Sequence, residues 1–317
     1  FWFAPDTSQA VIGPLRASVI YDMPVFLAYL SIIPGMAVFL VRFETDFVEW
    51  YDKFSAEHWD FRRGQERNLA QMPELTDAQT VATMALAEDA GMVKGRPPSR
   101  SSYDYCLILG GLVRACITRP RFASMLVSDG VQFGTIAALG GFRPLGGNEE
   151  ALAAELGVEG GNEFDAMDAG LRRAFGIEAP PQVISGDGSR ANDDWQVHRY
   201  SEGRYEVIAA PSTDPDNRRA NSGDTFAWWA RRTPNLDGTH VLLITNPIYV
   251  PYQGAAATQS LAIPHNIDVE TVGISPRAAD LGENTQSFTA ANYLQETRSA
   301  LRGMLALYRS LDLPGAQ

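Results

Sequence analysis

Between residues 103 and 274 the chain repeats one pattern: a short, almost uninterrupted apolar run, a small or polar turn, and then a helical stretch. The runs and their turns occupy residues 105–111, 131–141, 205–211, 241–246 and 269–274. Runs without polar alternation suit strands buried on both faces, and the helical stretches between them supply the covering layers. The pattern therefore predicts an α/β fold, a doubly wound, mostly parallel sheet of about five strands. Such open sheets bind ligands beyond the carboxyl ends of their strands, so the turns are where function is expected.

Residues 1–95 read as a helical N-terminal region. Residues 39–60 are aromatic-rich and amphipathic, and residues 76–90 open on Thr76-Asp77 and stop at Gly91, a plausible pair of helix boundaries. Residues 96–102, with Pro97, Pro98 and a polar run, read as a linker. Residues 103–317 are then expected to form a Rossmann-like domain with an insertion around 179–204, where Ser201, Glu202 and Gly203 suggest a hairpin and an antiparallel added strand. Residues 287–311 read as a C-terminal helix, with Leu294, Leu301, Met304 and Leu305 on an apolar stripe and Arg298 and Arg302 on a polar one.

Residues 23–41 contain no charge, and their length is near that of a membrane span. Pro24, Pro34 and Gly35 interrupt the run, and no basic start precedes a small-residue cleavage site. Two shorter buried helices meeting at Pro34-Gly35 are expected in preference to a membrane helix.

Charge and cysteine content narrow the function classes. Lys plus Arg number 26 against 38 Asp plus Glu, a net charge of −12, which disfavours nonspecific nucleic-acid binding and anionic membrane surfaces. Lysine occurs only at Lys53 and Lys94, so arginine carries nearly all the positive charge. Cys106 and Cys116 make neither a disulfide framework nor a zinc site; core packing and a reducing cytoplasm are expected. The four histidines show no helical metal-ligand spacing, and neither a phosphate-loop Gly-Lys-Ser/Thr nor a Gly-x-Ser-x-Gly elbow is present.

The turns themselves carry the candidate chemistry. Gly110 and Gly111 let a ligand approach the backbone of the first turn, with Arg114, Arg119 and Arg121 close behind as residues that could reach back. Gly140, Gly141 and Arg143 repeat the combination after the second run, which on a neighbouring strand would suit phosphate or carboxylate. Residues 214–225 gather three acids, two arginines, two asparagines and two hydroxyls before an amphipathic helix. There Arg219 is the preferred anion contact, Asn221 and Ser222 are ligand contacts, and Asp224 is either a helix cap or an acid/base group.

The order of these motifs, two Leu-Gly-Gly turns, an acidic helix start, the Arg-Ala-Asn-Ser-Gly-Asp-Thr segment and a Leu-Ile-Thr-Asn strand end, resembles the SanA/YdcF-like (ElyC-like) family of bacterial proteins, which includes envelope-maintenance factors. The likeness covers roughly the central half of the chain, a length typical of one domain. It implies a ligand-facing Glu at the next helix start, a position that Glu163 matches; a capping carboxylate balancing the helix dipole is the other reading of that residue. Asn221, Ser222 and Asp224 match the family's Asn-Thr-x-Glu-Asn pattern, with Thr225 in place of its last Asn. Thr245 matches the Thr at the strand end, but Tyr249 and Tyr252 stand where relatives carry His and Arg. A phenol with an ordinary pKa of about 10 does not replace a histidine as proton carrier near neutral pH without strong perturbation.

The expectation that follows is an enzyme acting on a small anionic or nucleotide-like ligand, with S-adenosylmethionine as a cofactor implied by the resemblance alone. Glu163 and Asp224 are the expected proton carriers, and Gly110, Gly111, Arg143, Arg219, Asn221, Ser222, Thr245 and Tyr249 the ligand contacts. The alternative is a noncatalytic metabolite-binding or envelope-maintenance protein that uses the same crevice.

Overall fold

The computed structural model describes residues 34–63, 70–186, 188 and 192–311, with residues 34–45 described by their backbone alone. It divides into two compact units, residues 94–287 and the helices on either side of them in sequence.

The flanking unit contains α1 (Pro34–His58), α2 (Asp77–Asp89) and a long helix at Ala290–Ser310. Helix α1 opens at the expected Pro34 boundary, whereas residues 23–33 lie outside the described residues. Thr76 caps α2 in a reciprocal box with Gln79, and Gly91 follows its end at a φ of 68°. The C-terminal helix packs along α1, where Val48, Leu305 and Tyr308 form a small core. Arg298, expected on a polar face, is turned inward instead: its guanidinium lies 3.5 Å from Asp52 and 3.7 Å from Asp60. Gln295 accepts from the backbone N–H groups of Phe61 and Arg62 at 2.7 and 3.0 Å, tying down the chain just beyond α1. Among the described residues no helix is long and apolar enough to cross a membrane.

The second unit is the α/β domain. Its seven strands are β1 (Ser102–Leu109), β2 (Gln132–Gly140), β3 (Gln182–Ser185), β4 (Gln196–Tyr200), β5 (Tyr205–Ala209), β6 (His240–Thr245) and β7 (Asp268–Gly273), in the spatial order β3-β4-β5-β2-β1-β6-β7. The five expected strands pair in parallel, β5-β2-β1-β6-β7. The count rises to seven because β4 runs back antiparallel beside β5, through the turn at Ser201, Glu202 and Gly203, and β3 adds to it. All three turn residues take positive φ, the tight geometry that the hairpin needs. β3 is short and mostly exposed, so it lacks the apolar signature of a central strand.

Of the longer helices, α3 (Val113–Ser128), α4 (Glu149–Glu155) and α5 (Glu163–Phe175) lie on one face, and α6 (Ser222–Arg232) and α7 (Val250–Ala257) on the other. Alternate residues of each central strand feed separate cores: Cys106, Ile108, Leu242 and Ile244 face α3 and α5, whereas Leu107, Leu109, Val241 and Leu243 face α6 and α7. Both cysteines are fully buried thiols, as core packing requires, and burial pushes both pKa values up. The expected linker is held against β7, since Ser99 bonds Glu270 at 2.7 and 2.8 Å and Arg100 pairs with Asp268 at 2.7 Å.

Pro120 sits inside α3 and has no N–H to offer the carbonyl of Cys116 one turn earlier. Gly170 of α5 packs onto that carbonyl so closely that a Cβ there would overlap its oxygen and stand 2.9 Å from its carbon. The two helices therefore meet at a proline and a glycine.

Candidate functional site at the switch between β1 and β6

β1 and β6 are neighbours, yet β1 leads through Gly110 and Gly111 to α3 on one face, while β6 leads through Asn246 and a 3-10 turn (Pro247–Tyr249) to α7 on the other. The diverging connections open a crevice at the carboxyl ends of the strands. Arg119 of α3 fills its floor. The residue is only 3 % exposed, and its guanidinium donates to Leu109 O at 2.8 Å, to Gly110 O and to Asn246 Oδ1 at 2.8 Å. It also lies 5.9 Å from the centroid of the Tyr249 ring, within cation–π range. Of the three arginines able to reach back to the first turn, Arg119 is the one that does; Arg114 and Arg121 bond the carbonyls of Asn284 and Asp280.

Arg143 joins the first two turns. It donates to Gly111 O at 3.0 Å, to Glu163 Oε2 at 3.2 Å and to the two oxygens of Glu149 at 2.7 and 3.1 Å. The expected convergence of the Gly110-Gly111 turn with Gly140, Gly141 and Arg143 is thus realised through this one side chain. Glu149 is buried, and its Oε1 accepts from Val113 N at 3.1 Å. A carboxylate of the chain itself therefore meets the N-terminus of α3, where the helix dipole favours an anion.

Glu163 is the first residue of α5 but not its cap. Asn162 accepts from Asp165 N at 3.0 Å, and Asp165 accepts from Gly161 N at 3.0 Å. With Asn162 capping the helix and the N–H groups of Glu163 and Phe164 donated to Arg143 O and Gly141 O, the Glu163 carboxyl extends to Gly110 and Arg143. Burial pushes its pKa up to about 6, against the opposing pull of the Arg143 and Arg119 charges. Gly140 passes beneath this helix start, where a Cβ would be 3.2 Å from the Phe164 backbone.

Residues 213–225 turn out to be a closed cap. Asn221 accepts from Asp224 N at 3.0 Å, and Asp224 accepts from Asn221 N at 2.8 Å; Asp224 also takes hydrogen bonds from Thr213 and Arg218. Burial opposes ionisation of Asp224, but the Arg218, Thr213 and Asn221 contacts prevail and hold its pKa down to about 2. That value suits a permanent carboxylate rather than a proton carrier near neutral pH. Arg218 is the arginine turned inward, while Arg219 is exposed, and Ser222 forms the first residue of α6. The described bonds of Asn221 and Asp224 close within this turn and do not join it to Arg143.

Thr245 is fully buried at the end of β6, and its Oγ1 has no hydrogen-bond partner among the described residues. Tyr249 is buried, donates its N–H to Asn246 O at 2.9 Å and turns its ring toward Arg119. Tyr252 is half-buried one turn further on.

Sequence reasoning missed Glu149 and Asn246, whose roles depend on partners 36 and 127 residues away. It also set His198 aside. That imidazole bonds Asp168 at 2.7 Å, and Tyr200 donates to the same carboxylate oxygen at 2.6 Å, an arrangement created by the antiparallel return of β4. Among the described residues no group of three or more His, Cys, Asp or Glu is placed to hold a metal ion.

A family model described as PelG, a putative exopolysaccharide exporter, matches residues 1–66, and one for the Rv3785 N-terminal domain matches residues 42–91. The uncharacterized protein Rv3785 of Mycobacterium tuberculosis is 30 % identical over 289 residues, which cover 82 % of this chain and 80 % of that protein. The uncharacterized protein Mb3814 of Mycobacterium bovis is similar to the same extent, 30 % over 289 residues. No solved structure matches. A likeness that spans both units at this identity makes the chain a member of the Rv3785 family.

Proposed function

We propose that the crevice between β1 and β6 binds a small anionic or nucleotide-like molecule and that the protein acts on it as an enzyme, with Glu163 moving a proton. The observation that carries this reading is the Glu163 carboxyl, whose pKa of about 6 lets it exchange protons near neutral pH. The Arg119 and Arg143 charges supply attraction for a phosphate or carboxylate beside the half-buried Gly110-Gly111 turn. The buried Thr245 hydroxyl, without a bond in the described residues, suits a ligand hydroxyl such as that of a ribose. An anion seated at the N-terminus of α3 would have to displace Glu149 from Val113 N, so the ligand is expected nearer to Glu163 than to that amide. Tyr249 would stack on the ligand.

The resemblance to SanA/YdcF-like proteins makes S-adenosylmethionine the first molecule to try. Calorimetry with S-adenosylmethionine and a nucleotide panel tests the reading. Binding weakened at least tenfold by Arg143→Ala is expected, and binding indifferent to that change would place the site elsewhere.

A second reading, a noncatalytic binding or envelope-maintenance protein, is favoured by Tyr249 and Tyr252 at the positions where the resemblance has His and Arg, and by the exporter-type match over residues 1–66. Normal ligand binding by Glu163→Gln, with no turnover by the parent protein, would select it.

A further inference from the structure

Thr245 Oγ1 is not the only orphaned polar atom near the crevice. Among the described residues of the α/β unit, Gln253 Oε1 is likewise shut off from solvent without a hydrogen-bond partner. Both atoms belong to one connection, since Thr245 ends β6 and Gln253 lies in α7. A buried polar atom without a partner costs free energy, so the pair asks for a partner that the chain itself does not supply.

The fold turns both residues to the same side. Alternation along β6 puts Thr245 with Val241 and Leu243, which face α6 and α7, and Asn246, the next residue, is held by Arg119 at the crevice floor. Gln253 follows Tyr249 by one helical turn and precedes the fully buried Ala257 by another. Tyr249 turns its ring toward Arg119, and Ala257 packs in the core beneath α6 and α7, so the half-buried Gln253 stands between the crevice and that core. Helix α7 then widens into a π-helical turn at Thr258–Ala262, a geometry that recurs at functional sites. There Ser260 Oγ would stand 3.6 Å from a Cβ on Gly223, in the first turn of α6. Arg143 and Glu163 belong to the opposite side, with α3 and α5.

The chemistry of the two atoms defines their partner. An amide oxygen only accepts, whereas a threonine hydroxyl donates or accepts, and neither carries charge. They suit an uncharged group that brings an N–H or O–H donor. In a nucleotide such groups are the sugar hydroxyls and the exocyclic amino group of the base.

Building on the reading of the crevice as a nucleotide-type site, we propose that Thr245 and Gln253 form its uncharged subsite and determine specificity. They accept hydrogen bonds from a sugar hydroxyl or a base amino group, while the phosphate lies toward Arg143.

The test is calorimetry of the full chain with adenosine 5′-monophosphate and two analogues, one lacking both ring hydroxyls (2′,3′-dideoxy) and one lacking the amino group (purine riboside 5′-monophosphate). The parent is expected to prefer the complete nucleotide by about tenfold or more over at least one analogue, and the analogue rejected tells hydroxyl from amino group. Gln253→Met and Thr245→Val should each bring that preference within about threefold, and Thr245→Ser should retain it. Without ligand, Gln253→Met should unfold no more easily than the parent, because it removes an orphaned atom. Should Gln253→Met fail to fold, the contrast of Thr245→Val with Thr245→Ser decides. Equal binding of all three nucleotides by the parent, or a preference that survives in both Gln253→Met and Thr245→Val, would overturn the proposal; if Arg143→Ala still weakens that binding, the anion-binding crevice stands without this subsite. No binding of adenosine 5′-monophosphate at all would overturn the subsite together with the nucleotide reading.

Discussion

The Glu163 carboxyl occupies the space that a side chain at position 110 would need: a Cβ on Gly110 would overlap Glu163 Oε1 and stand 2.6 Å from Leu139 O. Gly110 is required here by close approach, not by an unusual backbone angle. Gly110→Ala should therefore dislodge Glu163 from Arg143 and lower stability by about 2 kcal/mol, the usual scale for overpacking at a tight site. Chemical denaturation measures the loss. Any ligand binding in the crevice should weaken in parallel, and an alanine variant as stable as the parent would show that the helix start yields easily.

Glu163 also makes stability depend on pH. Its pKa is pushed up to about 6 from an ordinary 4.5, so the fold favours the protonated form. The stabilisation is fully present below about pH 4.5 and is lost as pH rises through about 6, a change on the order of 2 kcal/mol. Glutamine carries no such penalty, so Glu163→Gln should gain in Tm relative to the parent between pH 5 and pH 7.5. A difference that stays flat across that range would mean that Arg143 fully compensates the buried charge.

Asp224 has the opposite sign. With its pKa held down to about 2 from 3.8, its contribution is present above about pH 3.8 and disappears as pH falls through about 2. Asp224→Asn should cost about 2 kcal/mol at pH 7, and the gap to the parent should close in acid. Should turnover be found, this variant is expected to keep the parent's pH profile. A profile shifted by Asp224→Asn at unchanged stability would return Asp224 to a chemical role.

The contact of Gly170 with the Cys116 carbonyl leaves no room for a methyl group. Gly170→Ala should destabilise the α/β unit by about 1–3 kcal/mol, because the obstacle is backbone rather than a flexible side chain. Thermal unfolding gives the number. Gly141→Ala is the control, since a Cβ there meets nothing within 4 Å.

Tyr249 is expected to act through its ring. Tyr249→Phe keeps the aromatic face toward Arg119 and should retain ligand affinity within about threefold, whereas Tyr249→Ala should lose about 1–2 kcal/mol of binding through the missing ring. Calorimetry on the two variants separates ring from hydroxyl.

Local chemistry made much of the fold legible in advance. The five apolar runs became the five parallel strands because their residues are buried on both faces, and Thr76, Gly91 and Pro34 marked helix boundaries through hydrogen bonds or steric limits acting within a turn. The two glycine turns joined by Arg143 were legible for the same reason, since residues after adjacent parallel strands must meet. Partner choice was not. Whether Asp224 caps or reacts, whether Asn162 or Glu163 serves the end of α5, and which arginine enters the crevice all depend on bonds that compete for the same groups in three dimensions. The Glu149 bond to Val113, the His198 pair with Asp168 and the inward turn of Arg298 rest on strand order and helix packing, through contacts between residues far apart in the chain. Periodicity records which face of an element is apolar; only the packed structure decides which buried charge finds which partner.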